Sequence, residues 1–330
     1  MNEKASGSPP DDARDCTIRL GISRCLLGEN VRYDGGHKRD RFLTDTLGRF
    51  VEWVPVCPEV EIGLPIPRES LRLVGDPEDP RLIAPKSGQD HTERMQSWAQ
   101  GRLEELATAR LHGFVFKKDS PSSGLFRVRV YDKNGMPRRV GTGIFAREVT
   151  KRFPLLPVEE EGRLHDMGLR ENFIDRVFAY HRWTCMLEGN PTPGGMVQFH
   201  TAHKLTVLAH SPSHYKEMGR MVAQAGSLPW GEAVQTYGSL LMEGLKVLTS
   251  PGKHTNVLQH LMGFLRDDLT GDDKAELLDL IEDYRQGLVP LIVPMTLLRH
   301  HLRGNEVPDW VHQQVYLYPY PKELMLRNHV

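Results

Sequence analysis

The chain has 330 residues, of which 39% are hydrophobic and 26% charged, and its formal net charge is −1. The length leaves room for two domains, because single cores stop growing near roughly 250–300 residues. No apolar run approaches the roughly 20 residues of a membrane span, which excludes a helical membrane protein. Its four cysteines are widely spaced and match no disulfide framework, so we expect a reducing cytoplasm and no disulfide-linked partner.

The N-terminal segment, residues 1–16, is polar and contains Pro, Gly and Ser. It lacks the apolar core of a signal peptide, and we predict a disordered leader. After it we predict one domain over 17–160, a connecting helix and linker over 161–195, and a second domain over 196–330.

Three predicted strands in the first half of the chain end on small nucleophilic or metal-binding side chains. Ile18–Cys25 and Val51–Cys57 each end on a cysteine, and Pro55 indicates an edge strand or an irregular end. Gly113–Lys117 predicts a third strand, which runs into the turn Ser120–Gly124.

The other elements of this half alternate with the three strands. Arg41–Phe50 reads as a short helix and Pro65–Lys86 as irregular, whereas the spacing of apolar residues predicts a helix over His91–His112. Arg127–Asp132 and Gly141–Ala146 read as further strands. The alternation predicts an α/β domain of three layers with a mostly parallel sheet. In such sheets ligands bind beyond the carboxyl ends of the strands.

The second half changes character after the linker Glu188–Gly195, with long helical patterns and no convincing strand. An amphipathic helix over Leu164–Leu187 precedes the linker. We predict an all-α second domain. Its predicted helices are Met196–His210, His214–Gln224, Trp230–Leu248, His254–Leu269, Asp272–Gln286, Val289–Arg303 and Trp310–Tyr316.

The cysteines form no compact C-x-x-C cluster. Spacing alone leaves open whether Cys25 and Cys57 are two separate buried thiols or part of one site. Their position at strand ends, beside polar and glycine residues, favours a site. Cys185 lies on an apolar helical face and is predicted to be a core residue. Cys16 is a candidate substitute ligand.

Positive charge is concentrated in the segment from Arg110 to Arg152. This segment contains 11 Lys/Arg and 3 Asp/Glu. Such a block is typical of a polyanion-binding surface, and a solvated strand-and-hairpin face is the open alternative. The candidate RNA-binding residues of the block are Lys117, Lys118, Arg127, Arg129, Arg138 and Arg139.

Three segments closely resemble the signatures of the thiouracil desulfidase (TudS-like) family. They are Ile22–His37, Val56–Gly63 and Lys117–Gly124. In that family three cysteines hold a 4Fe–4S cluster and leave one iron without a protein ligand. The resemblance implies that Cys25 and Cys57 are two of the ligands and that Ser123 stands at the position of the third. Serine oxygen is harder and less acidic than a thiol, so a cluster held partly by Ser123 is expected to be labile.

The same resemblance implies a catalytic role for Glu59 and Ser120. Further predicted substrate-binding residues are Ser23, Asp34, His37, Glu61 and Ser122. Asp34 and His37 could instead cap the following helix. Glu61 could instead form only an ion pair with Arg68 or Arg72.

The second domain resembles the YbgA-like helical domain, and the two domains together resemble RudS-type tRNA 4-thiouridine desulfidases. The matching segments are Phe199–Ser211, His254–His260, Pro290–Pro294 and Tyr316–Asn328. The resemblance implies that this domain engages tRNA, with His203 and Lys204 as candidate contacts. A hydrogen-bonded network among its polar residues is the alternative, and a metal site there lacks a matching carboxylate or cysteine pattern.

The leading hypothesis is a cytoplasmic desulfidase that depends on a 4Fe–4S cluster and hydrolyses the C=S bond of 4-thiouridine in tRNA without net redox change. One alternative is a non-catalytic RNA-binding homologue that has lost the cluster with the third cysteine. The other is a desulfidase of free thiouracil or another small thiolated base.

Overall fold

The computed structural model describes residues 17–329, which fall into two compact units. One unit is Thr17–Asp166 and the other begins at Met167. The first contains all the strands of the described chain and the second is helical, which confirms the predicted order of an α/β part followed by an all-α part. The predicted leader and Cys16 lie outside the described residues.

The first unit contains eight strands and three α-helices. The strands are β1 Arg19–Ser23, β2 Glu52–Val56, β3 Arg72–Gly75, β4 Pro80–Ile83, β5 Gly113–Phe116, β6 Val128–Tyr131, β7 Pro137–Gly141 and β8 Val158–Glu160. The helices are α1 Pro58–Glu61, α2 Thr92–Ala109 and α3 Ile144–Arg152. In place of the helix predicted over Arg41–Phe50, the structure has a short π-helical turn, Phe42–Thr46, followed by a 3₁₀ turn, Leu47–Arg49.

The first sheet has the strand order β2-β1-β5-β8 and is parallel throughout. Strand β5 is buried along its whole length, as expected for the apolar run of an interior parallel strand. Strand β2 lies at the edge, in agreement with the presence of Pro55. Because β1, β2 and β5 are parallel neighbours, their carboxyl ends meet at one edge of the sheet.

A second sheet, which the sequence did not predict, has the order β4-β3-β6-β7 and mixes parallel and antiparallel pairs. Strands β3 and β4 lie in Pro65–Lys86, a segment predicted to be irregular. Residues Leu73 and Val130 face the core, whereas Arg72 and Arg129 precede them on the opposite face.

The strand predicted over Gly141–Ala146 is wrong, because β7 ends at Gly141 and α3 begins at Ile144. The first backbone N–H groups of this helix donate to the serine turn instead of to a sheet. Gly143 N donates to Gly124 O at 2.7 Å and Ile144 N to Pro121 O at 3.2 Å. The sequence of this apolar segment is compatible with both a helix and a strand, and the tertiary contact with the serine turn favours the helix.

The second unit contains eight α-helices in the described chain. They are α4 Met167–Gly189, α5 Pro193–His210, α6 Pro212–Ala223, α7 Trp230–Lys246, α8 Pro251–Met262, α9 Gly271–Arg285, α10 Ile292–Gly304 and α11 Asp309–His312. None of the described helices is long and apolar enough to cross a membrane. The predicted linker Glu188–Gly195 becomes the short connection between α4 and α5.

Three helices of this unit begin two or three residues before their predicted starts, for a local reason. Thr192, Ser211 and Ser250 each accept a hydrogen bond from the backbone N–H three residues later, and a proline follows each of them. A hydroxyl at the N-cap followed by proline at the first helical position favours initiation at that point.

Candidate active site

Three strand ends of the first sheet supply the side chains of one cavity. Cys25 follows β1 in a short 3₁₀ turn, and Cys57 follows β2 and precedes α1. The serine turn, Ser120–Gly124, follows β5. Cys25, Cys57, Ser120 and Ser123 all line a cavity of about 500 Å³ in the first unit. The predicted convergence of the three strand ends is therefore observed.

The two thiols and the Ser123 hydroxyl are buried, with exposed fractions of 8% for Cys25, 7% for Cys57 and 4% for Ser123. Burial raises the pKa of Cys25 to about 11, an effect that the nearby Lys117 partly offsets. Burial, reinforced by Glu59, raises the pKa of Cys57 to about 12. Within residues 17–329, no three His, Cys, Asp or Glu side chains are grouped so that they could hold a metal ion.

The Glu59 carboxylate lies between the cysteine side and the serine side of this site. Its Oε1 accepts a hydrogen bond from Ser122 Oγ at 2.6 Å and lies 3.4 Å from Ser120 Oγ. Its Oε2 lies 3.7 Å from Cys57 Sγ and 3.8 Å from an Arg68 guanidinium nitrogen. A carboxylate beside a thiol and two hydroxyls is suited to proton transfer at the cavity.

The serine turn is held from one side by the start of α3. Besides the bonds from Gly143 and Ile144, Ala146 N donates to Ser122 O at 3.2 Å. A Cβ at position 143 would come within 2.5 Å of the carbonyl carbon of Ser122, so only glycine fits there. The backbone of the turn is therefore closely packed against the start of α3.

From the other side, consecutive glutamates at the end of β8 fix the chain before and after the turn. Glu160 Oε1 accepts hydrogen bonds from Leu125 N at 2.8 Å and Phe126 N at 3.0 Å. Glu161 pairs with the Lys117 ammonium and accepts from Lys118 N. Sequence reasoning missed these glutamates, although three successive acidic residues at the end of an apolar segment are a visible signal.

The structure separates the predicted substrate-binding residues into two groups. Ser23 lines the cavity, and its Oγ accepts a hydrogen bond from Lys117 N at 3.0 Å. Asp34 pairs with Arg32 at 3.2 Å, and its Oδ1 accepts from the backbone N–H of Gly36. Asp34 lies outside the cavity lining, and it caps no helix.

Two further predicted residues also lie outside the cavity lining. The ring Nδ1 of His37 accepts from Arg39 N at 3.2 Å. Glu61 accepts from Cys57 N at 2.9 Å, and its other oxygen pairs with Arg102 at 3.3 Å. The alternative of an ion pair between Glu61 and Arg68 or Arg72 is therefore wrong, because the partner of Glu61 is Arg102 of α2.

The cavity lining is strongly basic, with eight Lys or Arg residues and three acidic ones, Glu59, Glu69 and Asp119. Lys117, Lys118 and Arg129 come from the predicted basic block. The other five were missed because they are scattered along the sequence: Arg24, Arg32, Lys38, Arg68 and Arg72.

The other three candidate RNA-binding residues of the basic block, Arg127, Arg138 and Arg139, do not line the cavity. Arg139 pairs with Asp119 at 2.9 Å, which neutralises part of its charge. Arg127 lies just before β6 in a left-handed backbone conformation with φ of 53°. Any role of these three in binding RNA would be on the outer surface.

In the helical unit, His203 is only 3% exposed and its Nδ1 lies 2.8 Å from the carbonyl of Phe199. Burial lowers the pKa of His203 to about 3, so the ring is neutral. Its position contradicts the prediction of a direct RNA contact. Lys204 is half-buried, with Nζ 3.4 Å from the centre of the Trp310 ring.

Two other polar residues of this unit also have partners inside it. His254 Nδ1 lies 2.8 Å from the Tyr316 hydroxyl. Cys185 is half-buried, with its Sγ 3.5 Å from His181 Nε2. The contact of His254 agrees with the hydrogen-bonded alternative, whereas the buried Nε2 of His203 has no hydrogen-bond partner among the described residues.

Comparison with known proteins matches the two units separately. Residues 20–161 match the family model described as 2-thiouracil desulfurase. Residues 204–321 match DUF1722, described as a protein of unknown function. The chain is also similar to "Uncharacterized protein YbgA" of Escherichia coli (strain K12), with 31% identity over 162 residues that cover 48% of this chain and 94% of that protein.

The chain belongs to the YbgA-like family, and in front of its DUF1722 region it carries a region that matches the 2-thiouracil desulfurase family model. Among solved structures it is similar to the 4Fe–4S-dependent thiouracil desulfidase TudS, at 29% identity over 45% of this chain and 94% of that chain, with a TM-score of 0.38. The cavity with Cys25, Cys57 and Glu59 lies inside the matched desulfurase domain.

Proposed function

We propose that this chain is an iron–sulfur-dependent desulfidase that removes the sulfur of 4-thiouridine in tRNA, giving uridine and sulfide. The observation that carries the proposal is the meeting of two buried thiols, a carboxylate and the serine turn in one cavity. Each chemical task of the reaction then has a residue of suitable type within the same space.

Cys25 and Cys57, with Ser123 in the third position, are the residues that would hold a 4Fe–4S cluster. When bound, the cluster would supply a Lewis-acidic iron with affinity for a thiocarbonyl sulfur. The donor set fits this group, because both thiols and the hydroxyl reach the cavity and are shielded from solvent. The basic lining also suits a negatively charged group.

Glu59 and Ser120 are the proposed acid–base residues. Water adds to the ring carbon that carries sulfur, and the Glu59 carboxylate takes its proton. The Ser120 hydroxyl lines the cavity beside Glu59 and orients the water or the base. The carbon exchanges C=S for C=O, water supplies the oxygen and two protons, and sulfur leaves as hydrogen sulfide. No electrons are gained or lost.

The charge of the cavity favours a nucleotide over a free base. Arg72 and Arg129 line the cavity from the face of the second sheet opposite its core, and within the described residues neither forms an ion pair. The Arg72 guanidinium lies 4.7 Å from the centre of the Tyr131 ring, so cationic and aromatic surfaces adjoin. Unpaired cations neutralise phosphates, and aromatic rings stack on bases.

Replacing Arg129 with glutamine tests the choice between tRNA and free thiouracil. We expect Arg129→Gln to weaken binding of tRNA and to reduce the salt dependence of that binding by about one unit of slope. Turnover of free 4-thiouracil should change little, because a free base carries no phosphate. The measurements are tRNA binding over a range of salt concentrations and sulfide release from both substrates.

Arg81→Gln is the matched control, because Arg81 belongs to the same unit, pairs with Asp90 at 2.6 Å and does not line the cavity. It removes the same charge away from the site. Equal weakening by both variants would show a general charge effect. An unchanged salt slope for Arg129→Gln, with fast turnover of free 4-thiouracil, would favour the small thiolated base as substrate.

The serine at position 123 supports one alternative function, that of a non-catalytic RNA-binding protein. A hard, weakly acidic hydroxyl in place of a thiol weakens the hold on iron. If no cluster forms, the fold and the basic cavity remain without the reaction, and the chain is a non-catalytic RNA-binding homologue. Iron and sulfide analysis after anaerobic reconstitution separates the two functions, since only the enzyme retains a cluster.

A further inference from the structure

Ser122 is the most deeply buried hydroxyl of the serine turn, with an exposed fraction of 0%. Its neighbours Ser120, Pro121 and Ser123 line the cavity, whereas Ser122 does not. A substrate in the cavity would therefore meet the residues on either side of Ser122 before it met Ser122 itself. This placement does not suit the substrate contact predicted from the sequence.

The Ser122 hydroxyl instead connects the polar groups around it. Its Oγ lies 2.6 Å from Glu59 Oε1, 3.1 Å from Ser120 Oγ and 3.3 Å from Ser123 Oγ. An ionised carboxylate only accepts, so Ser122 donates its proton to Glu59 and its lone pairs face the other two hydroxyls. At 2.6 Å the bond to Glu59 is short, as is typical of a charge-assisted hydrogen bond.

Glu59 depends on this bond for its orientation. Its other oxygen has only longer contacts, 3.8 Å to Arg68 and 3.7 Å to Cys57 Sγ. Ser122 itself is fixed through its backbone, because its carbonyl accepts from Ala146 N and packs against Gly143. The start of α3 therefore holds Ser122, and Ser122 holds Glu59.

We propose that Ser122 is a positioning residue that fixes the Glu59 carboxylate, and secondarily the Ser120 hydroxyl, at the reacting carbon. The inference rests on the proposed function, because it assigns Ser122 a part in the same reaction. Displacing a catalytic group by about 1 Å can reduce a rate about a hundredfold, so a residue with no substrate contact can control turnover.

The first test requires neither a cluster nor activity. Crystal structures of the full chain are compared for the wild type and Ser122→Ala. We expect one conformer of Glu59 on Ser122 in the wild type, and a displaced or multiple Glu59 carboxylate in the variant. A Glu59 carboxylate that stays in place without the Ser122 hydroxyl would overturn the proposal.

The second test uses the reconstituted enzyme and thiolated tRNA. We expect Ser122→Ala to lower kcat about tenfold to a hundredfold, with KM nearly unchanged, because a positioning residue acts on the chemical step and not on binding. In a Glu59→Gln background, Ser122→Ala should cause no further loss, since both changes remove one function. A raised KM with unchanged kcat, or additive losses, would overturn the proposal.

Thr142→Val is the matched control, since it removes a hydroxyl that bonds Leu125 O at 3.2 Å close to the serine turn without contacting Glu59. It should leave kcat near the wild-type value. An equal loss in this variant would show that packing of the turn is responsible, and would also overturn the proposal. If the wild type binds no cluster and has no turnover, the proposed function fails, while the position of Glu59 still decides the role of Ser122.

Discussion

Replacing Ser123 with cysteine should increase the iron and sulfide that the chain retains after anaerobic reconstitution. It should also slow the loss of the visible thiolate-to-iron absorption about tenfold, because thiolate is a softer and more acidic ligand for iron than serine oxygen. Ser123 already lies in the cavity with Cys25 and Cys57, so the new thiol would face the same space. Absorption spectroscopy during exposure to a chelator measures the difference.

Two cysteine variants serve as controls for this experiment. Cys25→Ser should lower iron retention further, because only one thiol would then remain in the cavity. Cys185→Ser changes a thiol of the helical unit that contacts His181, and should leave retention unchanged. If wild type and Ser123→Cys retained iron equally well, serine would be an adequate ligand and the expected lability would be wrong.

Replacing Glu59 with glutamine should lower the rate of sulfide release about a hundredfold to ten-thousandfold, the range typical of a lost general base. The amide has the shape of the carboxylate and can still accept the hydrogen bond from Ser122 Oγ, but it cannot take a proton from water. Iron content should therefore remain at the wild-type level. Single-turnover rates at matched iron content measure the effect.

Glu69→Gln is the matched control for Glu59. Glu69 also lines the cavity, but its carboxylate accepts hydrogen bonds from the backbone N–H groups of Lys86 and Ser87. Loss of this charge should leave the rate close to that of the wild type. Equal losses in both variants would point to the charge of the cavity, and a normal rate in Glu59→Gln would exclude Glu59 as the base.

The position of the site at the carboxyl ends of the first sheet's strands could be predicted from sequence. It depends only on local sequence patterns and on one topological rule. Apolar runs before Cys25, Cys57 and Ser120 predict strands, and the carboxyl ends of parallel strands meet. The second sheet could not be predicted in this way, since β3 and β4 are short and lie in a Pro-rich segment. Without that sheet, nothing in the sequence indicates that Arg72 lines the cavity.

Contacts between distant residues account for the other differences. The hydrogen bonds of Ser122 with Glu59 and of Glu160 with Leu125 join residues 63 and 35 positions apart, and no periodicity encodes them. Polar residues recur at helical spacing in α5, which suggested that His203 is exposed, but this helix has buried positions around much of its circumference. Helical spacing alone did not show which face is buried.

The most direct test of the proposed activity is sulfide release by the full-length wild-type chain. The chain is reconstituted anaerobically with iron and sulfide, desalted, and incubated with tRNA that contains 4-thiouridine and with no added reductant. We expect one sulfide released for each 4-thiouridine converted to uridine, over more than one turnover per chain. Full retention of a cluster with no loss of 4-thiouridine, or a strict requirement for a reductant, would contradict a non-redox desulfidase.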